Sequence, residues 1–326
     1  MTSFIVRRLL ISIPVILLSS VLMFLLVANS GDPLAELKGR NPPPPPSVIE
    51  LREKELNLDK PLPQRYAYWV THFFRGDMGK AVDGREVRPL LFRRLGVTMR
   101  MVTLALFLAL FLAIVVGVLS AVRQYTATDY AFTFAGFLFL STPVFWLAAL
   151  LKEYAAIRLN QLFGEQVIYT VGEATPNFEG TFAERVADWA GHLALPTLAL
   201  ALITFASWSR YQRSTMLDVL NSDYIRLAKA KGLSRSRVMI RHALRNALIP
   251  LTTVAAIDFA AILGGAVITE RVFSWQGLGA LLLDGIREND VNVVLAWLMV
   301  TSILVVVFNL IADVLYGVLD PRIRYG

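Results

Sequence analysis

The sequence predicts an all-α integral membrane protein with six transmembrane helices and a small extracytoplasmic subdomain between the first and second spans. Three observations carry this. The 326 residues are 56% hydrophobic and only 17% charged, with a mean hydropathy of +0.55; soluble domains sit nearer half apolar and a quarter charged. Apolar runs recur, each long enough to cross roughly 30 Å of hydrocarbon as a helix. Lysine and arginine gather in alternate connections, as the positive-inside bias requires. The net charge of +7 therefore lies at membrane ends and predicts lipid contact, with no nucleic acid as partner. Cysteine is absent, which excludes a disulfide framework, a thiol nucleophile and an iron–sulfur site. His72, His192 and His242 lie far apart, so no metal site is expected.

The first domain, residues 1–28, is a short N-terminus and the first span, 9–28. Arg7 and Arg8 before an apolar run resemble a signal peptide, but no small-residue cleavage site follows, so the run reads as a retained span. Pro14 lies inside it and can kink it. Residues 29–95 are polar and form the second domain. Pro42 to Pro46 make a stiff polyproline stretch. Ser47 to Leu56 reads as a short amphipathic helix, stopped by Pro61 and Pro63. The aromatic YAYWVTHFF run reads as a second helix at the membrane interface. A connection this long is expected to fold by itself.

The five remaining spans occupy the core, residues 96–317. Span two is 98–122 and ends in a polar turn with Arg123, Gln124 and Asp129. Span three is 130–157, with Pro143 in its middle. After a polar segment at 158–190 comes span four, 191–216, containing Pro196. Span five is 250–270, with Gly264 and Gly265 inside. A loop at 271–291 holds FSWQGLG, and span six is 292–317. The tail is 318–326. Six spans put both termini on one side. Arg7, Arg8, Arg123, Arg322, Arg324 and nine basic residues within 209–249 make that side cytoplasmic.

Between spans four and five lies a punctuated basic stretch, the cytoplasmic loop 217–249. Ser222 or Asp223 can cap a helix from Tyr224 to Lys231. Gly232 supplies a left-handed residue to end it. Ser234 can cap a second helix running to Leu248, and Pro250 opens span five. The small Ala228 and Ala230 let the first helix lie close against a partner surface. A helix–Gly–helix pinned between two spans tilts both when pushed. A plain loop obeying the positive-inside rule would have the charge without the caps; contact with anionic lipid is open to its basic second half.

At AKAKGLSRSRVMIRHALRNALIP the chain resembles the cytoplasmic loop of ABC importer permeases, the EAA motif. Gly232 fits the motif's glycine, Ala228 takes its second alanine and Pro250 closes it. Arg226 stands where the glutamate usually is and Leu227 where the first alanine is, as in the dipeptide/oligopeptide branch, which is also matched by related nickel and glutathione permeases. LNLDKPLPQRY at 56–66, RGDMG at 75–79, ITERVFSWQGLG at 268–279 and LDPRIR at 319–324 resemble that branch too. The resemblance implies a type I ABC importer permease fold in a bacterial inner membrane. It implies a coupling helix docked on an ATPase through Asp223, Tyr224, Arg226, Leu227, Ala228, Lys229, Ala230, Lys231, Gly232 and Leu233. It further implies a second permease subunit, one or two ATPase subunits, and an extracytoplasmic solute-binding protein near Phe273, Trp275 and Gly277. No GxxxxGK[ST] occurs in this sequence, so ATP and Mg are expected on the ATPase chain and no cofactor or catalysis on this one.

Polar groups at membrane depth are candidates for a translocation path. Lys152 and Glu153 either snorkel or pair with each other, or touch substrate. Asp258 either faces the pore or pairs with a neighbouring hydroxyl or amide. Gly264 and Gly265 allow close helix packing or a local break. Trp275 fits an aromatic belt or a pore-mouth role. Asn309 and Asp313 read as packing and helix-end groups. An ion-coupled transporter or channel would need coupling-ion sites, for which Asp258 alone qualifies. An intramembrane enzyme would need a catalytic pair, and Asp258 with Asp313 sits in no recognisable motif.

Overall fold

The computed structural model describes residues 2–39, 41–42 and 44–319, without side-chain placement at 2–5, 36, 260, 261, 264, 265 and 316–319. The 319–324 motif lies outside the described residues beyond its first position. Among the described residues the regular structure is helical, with one isolated bridge between Lys80 and Glu86. The main helices are α1 (Thr2–Ala28), α2 (Pro46–Glu55), α3 (Leu62–Phe74), α4 (Val87–Val122), α5 (Ala127–Ser141), α6 (Val144–Phe163), α7 (Phe182–Leu220), α8 (Asp223–Ala230), α9 (Arg245–Val272), α10 (Leu278–Arg287) and α11 (Val291–Leu319).

Helices α1, α4, α7 and α11 are long and apolar enough to cross a membrane, and the pair α5 and α6 makes a fifth candidate if it counts as one span. Helix α9, where the predicted 250–270 span falls, includes four positions whose side chains are not described. The predicted third span is not one straight helix. It breaks at Thr142–Pro143, and α5 and α6 diverge by 107°. Thr142 is extended at φ −88°, ψ 123°, because proline pushes the residue before it out of the helical region. Pro14, Pro196 and Pro250 by contrast lie within continuous helix. Helices α4 and α7 run well beyond their predicted spans: 36 and 39 residues make rods of roughly 54 and 58 Å. Helix α7 starts at Phe182 with a reciprocal capping box between Thr181 and Glu184.

Residues 2–97 and 276–307 form one compact unit. Its core joins Phe73, Met78, Val87 and Leu91 to Leu278, Leu281, Val293, Ala296 and Met299. Helix α3 packs on α1 through Phe24, whose ring lies 5.6 Å from Tyr66 and 5.7 Å from Trp69. Gly79, in the RGDMG motif, has φ +75°, and a Cβ there would lie 2.8 Å from the Asn292 amide nitrogen. The left-handed conformation is what favours glycine here. Asp290 is buried. It caps α11 by accepting from the Val293 N–H at 3.1 Å and holds the loop by accepting from the Val82 N–H at 2.6 Å. Burial pushes its carboxyl up, and the two amides pull it down.

Residues 98–275 and 308–319 belong to the second unit. Here α5 and α9 pack along α7, and Phe259 stacks on Phe308 at 3.6 Å between ring centres. Gly117 of α4 lies against α7 so closely that a Cβ would sit 2.7 Å from the Ser209 carbonyl oxygen.

Asp290→Ala is expected to cost about 1 kcal/mol in the cap alone, and so to raise exchange of the Val82 and Val293 amides roughly five-fold. Hydrogen exchange read by mass spectrometry on the detergent-solubilised chain checks this; unchanged protection at both amides would contradict the capping role.

Candidate functional site

The helix–Gly–helix stretch forms as a helix and a turn, with its own termination chemistry. Helix α8 starts after Ser222, which is extended at φ −71°, ψ 152°. The Ser222 hydroxyl does not cap α8; it donates back to the Val219 carbonyl at 2.5 Å, closing α7. At the other end Gly232 has φ +73°. The Leu233 N–H donates to the Ala228 carbonyl at 3.3 Å and the Gly232 N–H to the Lys229 carbonyl at 3.0 Å. These two bonds are the Schellman pattern, and the glycine at its left-handed position is what it requires.

Helix α8 has two unlike faces. Ile225 is 0% and Ala228 7% exposed, in one cluster with Ala121 of α4, Met216 of α7, and Val238, Ala243 and Ala247. The outward face carries Tyr224, 43% exposed, and Leu227, 56% exposed. Asp223, Arg226, Lys229, Ala230, Lys231 and Gly232 are exposed around them, and Leu233 is half-buried. Asp223 and Arg226 pair at 3.5 Å in full solvent, a contact of little energetic weight. The small Ala228 therefore serves close packing against the chain's own helices, not against a partner. Tyr224 and Leu227 thus stand one turn apart on the outward face, ringed by charged side chains.

The segment after Ser234 differs from its prediction. Helix does not stop at Leu248. It runs from Arg235 through a π-helical stretch at Val238–Leu244 into α9 and on past Pro250 to Val272. Pro250 removes one helical donor. In the turn ahead of it, the Ala247 carbonyl accepts from Thr215 Oγ1 of α7 at 3.3 Å.

Below this surface sits a group that sequence reading left in a polar turn. Asp129, 2% exposed, accepts from Arg213 Nε and Nη2 of α7, both at 2.8 Å. It also accepts from Ser120 Oγ of α4 and from the Tyr125 N–H at 3.0 Å. The available signal was an acid and an arginine, each at the basic end of a different apolar run.

The other predicted residues do not converge on one point. Asp258 is half-buried and accepts from the Trp208 indole N–H at 2.8 Å. Lys152 and Glu153 fall on a π-helical turn, Leu151–Ala155, within α6. Such turns often mark functional positions. Lys152 donates to the Val272 carbonyl at 3.1 Å, and Glu153 is exposed. Gly264 and Gly265 lie in the α9 backbone, and their surroundings fall outside the described residues. Phe273 is 1% and Trp275 2% exposed, and Gly277 is buried at the start of α10. Phe273 accepts through its carbonyl from the Gly172 N–H at 2.9 Å, and the Trp275 N–H donates to the Glu270 carbonyl at 2.8 Å. These residues knit their loop together and leave Arg271, Ser274 and Gln276 on its surface.

Two family models match the chain. One, described as "Binding-protein-dependent transport system inner membrane component", covers residues 113–325. The other, its N-terminal companion, covers residues 1–91. The chain is 41% identical over 324 residues to the oligopeptide transport system permease protein OppB of Mycobacterium tuberculosis, covering 99% of each. It is 38% identical over 328 residues to the oligopeptide transport system permease protein AppB of Bacillus subtilis, covering 100% of each. It is 35% identical over 347 residues to the dipeptide transport system permease protein DppB of Escherichia coli, covering 100% of this chain and 99% of that one.

Because the natural chain has no cysteine, single-cysteine labelling reads the two faces of α8 cleanly. Tyr224→Cys and Leu227→Cys are expected to react with a water-soluble maleimide on the order of ten-fold faster than Ile225→Cys and Ala228→Cys. Equal rates at all four would show that α8 does not seat as described.

Proposed function

The chain belongs to the binding-protein-dependent transport system inner membrane component family, and we propose that it is the permease subunit through which an ATP-driven importer takes up peptides. With a second, homologous permease it forms the translocation path, and a solute-binding protein delivers the cargo from outside. One or two separate ATPase subunits bind and hydrolyse ATP with Mg. In this reading α9 is a span, the span count is six, and both termini and α8 face the cytoplasm of a bacterial cell.

One observation carries the coupling role: α8 seats one face in its own helices and leaves an apolar pair, Tyr224 and Leu227, on the other. The seated face makes α8 part of the helix bundle. The open face supplies the contact on a moving partner, with Asp223, Arg226, Lys229 and Lys231 as a charged rim. Peptide as cargo is supported by the full-length similarity to oligopeptide and dipeptide permeases. Along the path, Lys152 and Asp258 are the polar groups offered to substrate, with Gly264 and Gly265 allowing close helix approach. On the outer side, Phe273, Trp275 and Gly277 act by shaping the loop that presents Arg271, Ser274 and Gln276 to the binding protein.

Gly232→Val forces a β-branched residue into the left-handed region, at a cost of about 1–2 kcal/mol or more. In proteoliposomes holding the whole transporter, this variant is expected to insert normally and hydrolyse ATP while uptake falls; uptake at the normal rate would rule out the coupling role. Adding the ATPase subunits is further expected to protect Tyr224→Cys and Leu227→Cys from maleimide. Undiminished labelling in the assembled complex would place the contact elsewhere.

A further inference from the structure

We propose that the Asp129–Arg213 ion pair is a positioning joint that ties the two helix ends beneath α8 into one block, so that a push on α8 moves α4, α5 and α7 together. The inference deepens the coupling role proposed above and rests on it.

The placement of the joint carries the idea. The seated face of α8 meets two helix ends in one cluster, Ala121 of α4 and Met216 of α7. Each of those residues has a neighbour in the Asp129 knot. Ser120, just before Ala121, donates its hydroxyl to Asp129. Arg213, one turn before Met216, donates two parallel N–H groups to the same carboxylate at 2.8 Å. Asp129 itself stands in the first turn of α5. A single buried carboxylate thus joins α4, α5 and α7 at the level where α8 rests on them.

The chemistry suits a joint better than a loose brace. A forked guanidinium on a carboxylate fixes angle as well as distance. All four acceptor directions of Asp129 are used, the last by the Tyr125 N–H, so no other group can replace Arg213 without breaking a bond already made. Tyr125 is held at φ +63°, a region costly for a non-glycine residue; its bond to Asp129 fastens the short turn between α4 and α5. One turn up α4, a second and independent lock is steric. At Gly117 a Cβ would lie 2.7 Å from the Ser209 carbonyl and 2.8 Å from Gln212 Cβ, which leaves α4 no slack to slide on α7.

Without the joint, α8 could displace the end of α7 and leave α4 and α5 behind. The test uses the full transporter in proteoliposomes, with uptake and ATP hydrolysis measured together. Asp129→Asn and Arg213→Gln are expected to lower peptide taken up per ATP on the order of ten-fold, while ATP hydrolysis continues. Asp129→Glu is expected to recover part of that ratio. The exchanged pair Asp129→Arg with Arg213→Asp is expected to exceed either of its single reversals. A merely structural defect would instead lower uptake and hydrolysis in step with the amount of inserted complex. If Asp129→Asn does not reach the membrane, Arg213→Lys serves, since it keeps the charge and removes the fork. An unchanged ratio in Asp129→Asn and Arg213→Gln overturns the joint. Undiminished maleimide labelling of Tyr224→Cys and Leu227→Cys in the assembled complex overturns the coupling reading itself, a distinct outcome.

Discussion

The seating of Ile225 and Ala228 against the ends of α4 and α7 is the contact on which the rest of this site depends. Eight residues do not hold a helix alone in water, since nucleation is unfavourable and few bonds follow. Burying the Ile225 side chain contributes about 1.5–3 kcal/mol, and the two Schellman bonds at Gly232 stop the helix where that face ends. The burial thus creates α8 and also sets its rotation. With Ile225 and Ala228 turned in, Tyr224 and Leu227 have no choice but to face out. The exposed pair is a by-product of the seat.

Much of this was legible in the residues. Gly232 announced the end of α8, and the apolar runs announced the long helices; the cap expected at Ser222 did not form. The rest failed for identifiable reasons. Small size at Ala228 says that something comes close, but not from which side; the helix rotation decides that, and it is set by Met216 and by Ala121, the latter far away in the sequence. Pro143 and Pro250 look alike as letters. One ends a helix, with Thr142 before it in the extended region; the other stays inside the continuous helix α9. The residues next to each proline do not tell these apart, because contacts distant in sequence are not written in them. The Asp129–Arg213 pair was missed for the same reason, being 84 residues apart.

Motif likeness and surface exposure also part company. Phe273, Trp275 and Gly277 stood out as part of FSWQGLG and lie buried. Gly79 in RGDMG is favoured for its left-handed backbone angle. Both segments hold loops at the ends of long helices, where unpaired backbone groups would otherwise be costly. The exposed neighbours are the ones free to meet a partner, and they are ordinary polar residues that no pattern singles out.

The continuity of helix from Arg235 to Val272 gives the site its reach. Its 38 positions, by count along the sequence, make a rod of roughly 57 Å. Val238, Ala243 and Ala247 near its start share the cluster that seats α8. At its far end the Val272 carbonyl holds Lys152, on the π-helical turn after the 107° bend. Between them Asp258 holds the Trp208 indole of α7. A helix stopped at Leu248, as the sequence suggested, would have left a break before Pro250; the continuous helix instead joins the cluster that seats α8 to the Val272 carbonyl that holds Lys152.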